Sequence, residues 1–188
     1  MLPVSSVKDL IALAKAKPGA LNYASVGPTS LAHLAGALFG QMANVELTEV
    51  PYRSSAASIL DTTQGRIEMQ FATLGPALPH IRAGKVKVLA VTSLKRVDIL
   101  RDVPTLDEAG LAGYDAVLWL AIVAPATTPR GVVARMNSEL RAILAMPDVI
   151  AALKAQGLDA ASSTPDELRA LITRDIDKWR KFAQTTAK

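Results

Sequence analysis

The chain has 188 residues, half of them hydrophobic and only 4% aromatic, with a formal net charge of +4. That length suits one large domain or two small ones, at roughly 100–200 residues each, and a mix rich in Ala, Leu and Val suits α/β layers in close contact. The lack of cysteine excludes disulfides and thiolate metal sites, and no apolar run approaches the roughly 18 residues that span a membrane.

In chain order, Val7–Lys15 has helical spacing, and Pro18 and Gly19 interrupt it. Leu21–Ala24 reads as a short strand. Leu31, Leu34, Ala35, Leu38 and Phe39 then fall on one helix face. Val45–Pro51 predicts a second strand, and Ser55–Thr63 a helix that Gly65 stops. Ile67, Met69 and Phe71 alternate with polar or small residues, as in a strand with one buried face. Pro76–Ala83 predicts a short helix ended by Gly84. Val86–Thr92 is almost continuously apolar, the pattern of a strand covered on both faces. Thr105–Ala109 reads as a brief helix and Tyr114–Ala124 as a long strand.

From Thr127 the pattern is helical throughout. Thr128 is placed to cap a helix whose first residue is Pro129. Val132, Val133, Met136, Leu140, Ile143 and Leu144 form its apolar stripe. Pro147 starts a further helix that Gly157 ends. Thr164-Pro165-Asp166-Glu167 has the spacing of a capping box. Leu168, Leu171, Ile172, Trp179 and Phe182 give the last helix an apolar side. The prediction is a five-strand α/β body over residues 1–118, followed by a crossover strand and helical tail over residues 119–188.

The turn Ala24–Ser30 is the richest candidate site. A strand ends there, Gly27 permits tight backbone geometry, and Thr29 and Ser30 open a helix. Helix N-termini present unpaired N–H groups and a partial positive charge, which suits a carboxylate or phosphate. Ligands of open α/β sheets also bind beyond the carboxyl ends of the strands. Physics alone nevertheless reads the turn first as an ordinary capped βα loop, since it is neither a GxxxxGK[ST] loop nor a GxGxxG fingerprint. Tyr52 and Arg53 follow a second strand, with a surface arginine and a half-buried tyrosine as the plainer reading. Ala72 and Thr73 end a third.

Catalysis finds little support. There are two histidines, and His33 lies about one helical turn after Ser30, but no GxSxG elbow exists. Metal-ligand clusters are missing, and nothing calls for a cofactor. Asp107-Glu108 and Asp166-Glu167 fall in first turns of helices, where capping explains them. The basic stretch Lys85–Arg101 lacks interleaved aromatics, so it reads as a solvated face or an electrostatic aid to anion capture rather than a nucleic-acid surface.

Several separated segments, DLIALAKAKPGALNYASVGPTSLAHLAGALFGQ, VPYRSSAASILDTTQG, ALPHIRAGKVKVLAVTSLKR and DVPTLDEAGLAGYDAVLWLAIVAPATTP, lie in order ahead of the helical tail with Trp179. In this the chain resembles the Bug-type solute-binding proteins of tripartite tricarboxylate transporters, from Lys8 to the C-terminus. The resemblance implies a periplasmic-binding-protein-like (type II-like) α/β fold with mixed sheets and helices on both faces. It implies two domains closing on a small mono- or dicarboxylate, delivery to transporter membrane subunits, and no enzymatic activity. It places ligand contacts on Ser25, Val26, Gly27, Thr29, Ser30 and Tyr52, and puts Ala72 and Thr73 near the far end of the ligand.

Three departures from the family pattern bear on this expectation. The family's N-terminal portion, with its signal peptide and the Gly-rich loop of the first domain, has no counterpart here. Residues 1–118 would then be the second domain, nearly complete, and residues 119–188 the helical part of an incomplete first domain. Ser54 follows Arg53 where the family commonly has Gly, and Ala72 stands where an Asp is common. The resemblance implies a periplasmic location. The start MLPVSSVKDLIALAKAKPG has no basic n-region ahead of an apolar run and is not itself expected to be a signal peptide, so a genuine start at Met1 would leave the chain in the cytoplasm. The alternative expectation is an interaction module that forms homo-oligomers through the apolar side of the tail helices, Val132 to Phe182.

Overall fold

The computed structural model describes residues 2–186. The chain divides into two compact units, Met1–Trp119 and Leu120–Lys188.

The first unit is a three-stranded parallel sheet with helices on it. Helix α1 (Val7–Ala16) starts in a capping box between Ser6 and Asp9 and buries Val7, Leu10 and Ala14. Strand β1 (Asn22–Ser25) leads into α2 (Leu31–Ala43), which leads into β2 (Thr48–Pro51). Helix α3 (Ser55–Thr63) returns the chain to β3 (Met69–Gln70), and α4 (Leu74–Arg82) follows. The strand order is β2-β1-β3. Tyr23 pairs with Glu49 on one side and Met69 on the other. Tyr23, Ala24 and Ser25 are all buried, as a central parallel strand requires.

The core of this unit lies where α2 meets β1. Phe39 and Phe71 pack with ring centroids 5.8 Å apart, and Tyr23 meets Phe71 edge-on at 6.0 Å. Gly36 permits that packing. A Cβ at this position would sit 2.3 Å from the Tyr23 ring. Tyr114 is fully buried, and its hydroxyl donates to the Ala35 carbonyl at 2.8 Å, fastening the segment after residue 110 to α2.

Two predicted strands are not formed. Val86–Thr92 contributes only one bridge, Val91 to Thr105, and one further bond from the Ala116 N–H to the Thr92 carbonyl. Tyr114–Ala124 joins no ladder. The described sheet therefore has three strands, not five. An apolar run supplies the surface of a strand, but a ladder needs a second chain segment with free groups. The run Val117–Val123 forms no strand among the described residues, and Leu120, Ile122 and Val123 are 74%, 66% and 77% exposed. The brief helix expected at Thr105–Ala109 is a series of turns. Thr105 and Glu108 exchange capping bonds there, but Gly110 follows at once with φ 107.

The second unit holds α5 (Arg130–Leu144), α6 (Pro147–Ala155) and α7 (Pro165–Thr186). Helix α5 begins one residue later than expected, with Pro129 in the capping position, and Thr128 forms a turn to Pro125 instead of a cap. The Thr164–Glu167 capping box forms as the spacing predicts. Asn137 on α5 donates to the Ser163 carbonyl just ahead of α7. None of the described side chains of this unit is buried. The stripe of α5 is present, yet Val132, Met136 and Ile143 remain exposed.

Candidate functional site

Because the three strands are parallel, their carboxyl ends share one edge of the sheet. The chain leaves β1 toward β2 and later returns past β1 to β3. The strand order thus reverses between β1 and β3, the place where open α/β sheets hold ligands. The turns Ser25–Ser30 and Ala72–Thr73 leave the sheet on either side of that point.

The Ser25–Ser30 turn is held by its own hydrogen bonds. Ser25 is 1% exposed, and its hydroxyl donates to Oε1 of Glu49. The Gly27 N–H donates back to Ser25 Oγ at 3.2 Å. Gly27 has φ 118 with open space around it, so the requirement for glycine is conformational. The Ser30 N–H and hydroxyl both donate to the Gly27 carbonyl, at 3.0 and 2.7 Å. Ser30 then caps α2 by accepting the His33 N–H at 3.2 Å.

Both serine hydrogens are therefore committed inside the protein. The groups left facing outward are different ones. Thr29 is exposed, and its hydroxyl makes no hydrogen bond among the described residues. Leu31 and Ala32 open α2, and the first N–H groups of a helix have no intrahelical acceptor. Val26 is exposed beside them.

On the β2 side, the Tyr52 N–H donates to the Ser25 carbonyl at 2.8 Å and extends the β1–β2 ladder. The Tyr52 hydroxyl donates to Asp61 at 3.0 Å, and Asp61 also pairs with Arg66 at 3.1 Å. Burial first, and then Asp61, pushes the Tyr52 hydroxyl above its ordinary pKa. Arg53 is exposed. On the β3 side, Ala72 is exposed, and Thr73 occupies the capping position of α4 without using its side chain to cap. Thr73 thus offers a second hydroxyl beside a helix start.

Sequence reasoning missed Glu49. It accepts from Ser25 and lies 2.8 Å from His33 Nδ1. Burial, and then the Glu49 charge, pushes the Tyr23 hydroxyl up to about 12. The only hint in the sequence is an acidic residue inside an otherwise apolar strand end, with a histidine in the first turn of the preceding helix. Ser25, Glu49 and His33 have the residue types of a hydrolase triad but not its order. The carboxylate stands in the middle and takes the serine proton, so no imidazole faces the serine oxygen. No group of three His, Cys, Asp or Glu side chains among the described residues could hold a metal. In the basic stretch, Arg96 pairs with Glu108 at 2.8 Å and Arg101 with Asp98 at 3.6 Å.

Known proteins are similar to this chain along nearly its whole length. A protein from the tcbD-tcbE intergenic region of Pseudomonas sp. strain P51 is 40% identical over 177 residues, covering 94% of this chain and 53% of that one. Protein BugT of Bordetella pertussis is 30% identical, covering 98% and 57%. The solved structure of R. palustris Rpa4515 with adipate superposes with a TM-score of 0.89 at 35% identity, covering 98% of this chain and 62% of that one. The chain thus spans little more than half the length of the curated relatives it matches. The model of the tripartite tricarboxylate transporter family receptor matches residues 1–187, and the chain belongs to that family, with the α/β fold of periplasmic binding proteins.

Proposed function

We propose that this chain binds a small organic carboxylate at the carboxyl edge of its sheet, as one of the two jaws of an extracytoplasmic solute-binding protein. The bound solute would pass to the membrane subunits of a tripartite tricarboxylate-type transporter, from the periplasm and without chemical change. One observation carries the reading. The Leu31 and Ala32 N–H groups that open α2 have no intrahelical acceptor and the Thr29 hydroxyl makes no hydrogen bond among the described residues, while the neighbouring serines are locked in place. Such a set suits a carboxylate, and a structural relative was solved with adipate.

The residues then take distinct roles. Thr29 contacts the ligand, and Thr73 meets its far end. Ser25, Gly27 and Ser30 shape the turn, Val26 offers apolar contact, and Tyr52 braces β2 against α3. Ala72 leaves the far end without a charge, which favours a ligand without an amino group there. The opposite wall of the site belongs to the part of the relatives' length that this chain does not match.

Adipate is expected to raise the melting temperature, and other mono- and dicarboxylates to do so by differing amounts. Ligand at 100 times its Kd stabilises by about 2.7 kcal/mol. Thr29→Val is expected to weaken adipate binding about tenfold or more, because a hydrogen bond to a charged group contributes about 1.5–3 kcal/mol. It leaves the melting temperature of the free protein unchanged. A folded protein that responds to no carboxylate in a calorimetric panel sinks this reading.

A second reading, an interaction module, is favoured by the exposure of Leu120, Ile122 and Val123 and by the lack of burial across the second unit. Each large apolar side chain left in water forgoes about 1.5–3 kcal/mol. Sedimentation is expected to give a mass that rises with concentration, and the double change Leu120→Asp with Ile122→Asp to return the chain toward monomer. A monodisperse monomer at high concentration counts against it.

A further inference from the structure

Arg53 is the one lysine or arginine in the three turns that leave the carboxyl edge of the sheet, residues 25–31, 51–55 and 71–74. It is exposed and makes no hydrogen bond or ion pair among the described residues. The acidic side chains of β2 and α3 are engaged elsewhere. Glu49 accepts from Ser25 and holds His33. Asp61 accepts from Tyr52 and pairs with Arg66.

The backbone on either side of Arg53 is held. The Tyr52 N–H donates to the Ser25 carbonyl at 2.8 Å, and the Tyr52 hydroxyl donates to Asp61 at 3.0 Å. Ser54 caps α3, its hydroxyl accepting the Ala57 N–H at 3.3 Å and its carbonyl the Ser58 N–H at 3.2 Å. A cation on a held backbone gives up only side-chain freedom when it meets a ligand. Its direction follows from the strand, whose successive side chains alternate between faces. Glu49 reaches His33 on α2, whereas Tyr52 reaches Asp61 on α3. Arg53 comes next after Tyr52 and continues the alternation on the α2 side, toward Thr29 and the start of that helix. Neighbouring strands lie about 4.8 Å apart, a gap that an arginine side chain is long enough to cross.

We infer that Arg53 is a further ligand-binding residue: its guanidinium pairs with the carboxylate head received by Thr29 and the start of α2, and selects an anionic head over an uncharged one of the same shape. This inference rests on the carboxylate reading above. The guanidinium fork matches a carboxylate in geometry as well as charge.

The test is calorimetry of the full chain with adipate and with adipamide, its uncharged diamide, at low ionic strength and in about 1 M sodium chloride, where charges are screened beyond about 3 Å. Arg53→Gln is expected to weaken adipate binding about tenfold at low ionic strength, the scale of a charge-assisted hydrogen bond, and to flatten its salt dependence. It leaves adipamide binding and the melting temperature of the free protein unchanged. Arg53→Lys keeps the charge without the fork and falls between the two. Lys15→Gln removes the same charge from the last turn of α1, ahead of the opposite end of β1, and keeps native adipate affinity. Native adipate affinity and salt slope in Arg53→Gln overturn the proposal and leave the carboxylate reading standing. An equal loss of adipate and adipamide in that variant also overturns it, because shape rather than charge was removed. A folded native protein that binds no adipate overturns both.

Discussion

Tyr114→Ala is expected to destabilise the first unit by about 3–5 kcal/mol, the range for removing a large aromatic from a core. Tyr114 has no exposed surface, and it ties the segment after residue 110 to the middle of α2 through the Ala35 carbonyl. Domains of this size are stable by only about 5–15 kcal/mol, so a substantial unfolded fraction would appear at moderate temperature. Tyr114→Phe keeps the ring and loses the single hydrogen bond, for a cost of about 1 kcal/mol. The ratio of the two losses in urea melts separates packing from hydrogen bonding. Burial, and then Asp115, hold the Tyr114 hydroxyl above the ordinary tyrosine pKa. The folded value is raised, so the stability this group confers is intact below about pH 10, the unperturbed value, and declines above it. Tyr114→Phe should flatten that alkaline loss, leaving the share due to Tyr23.

The second large effect is expected at Gly36. An added methyl group would lie 2.3 Å from the Tyr23 ring. That ring is itself buried and set edge-on against Phe71, which packs on Phe39, so it has nowhere to turn. Gly36→Ala should therefore cost about 1–3 kcal/mol or more through overpacking. This outweighs the gain of about 1 kcal/mol that alanine normally brings to a helix interior. A pairing with Tyr23→Leu, which removes the ring edge, should recover part of the loss. A neutral or stabilising Gly36→Ala would mean that α2 does not approach β1 this closely.

The helices of this protein are largely written in local sequence. Ser55–Thr63 occupies the predicted residues, and the Thr164–Glu167 capping box forms as spaced. Both depend on contacts within four residues. The strands Val86–Thr92 and Tyr114–Ala124 were equally clear as apolar patterns, yet they do not form, because a strand also needs a partner that its own sequence does not specify. The site divides along the same line. The glycine turn and helix cap were legible, but the acceptor that occupies the Ser25 proton lies 24 residues on, and the partner of His33 lies 16 residues on. Only the register of β1 with β2, which sets Tyr23 opposite Glu49, brings them together.

The exposed run Val117–Val123, VLWLAIV, contains neither charge nor proline and is rich in residues that favour extended structure. Such segments meet the composition of steric zippers, in which identical strands stack along a fibril. Asp115 on one side and Pro125 on the other are the sole residues nearby that interrupt it. An exposed apolar run of this composition is thus a template for cross-β growth. For this protein, storage concentration and time should limit a preparation before heat does.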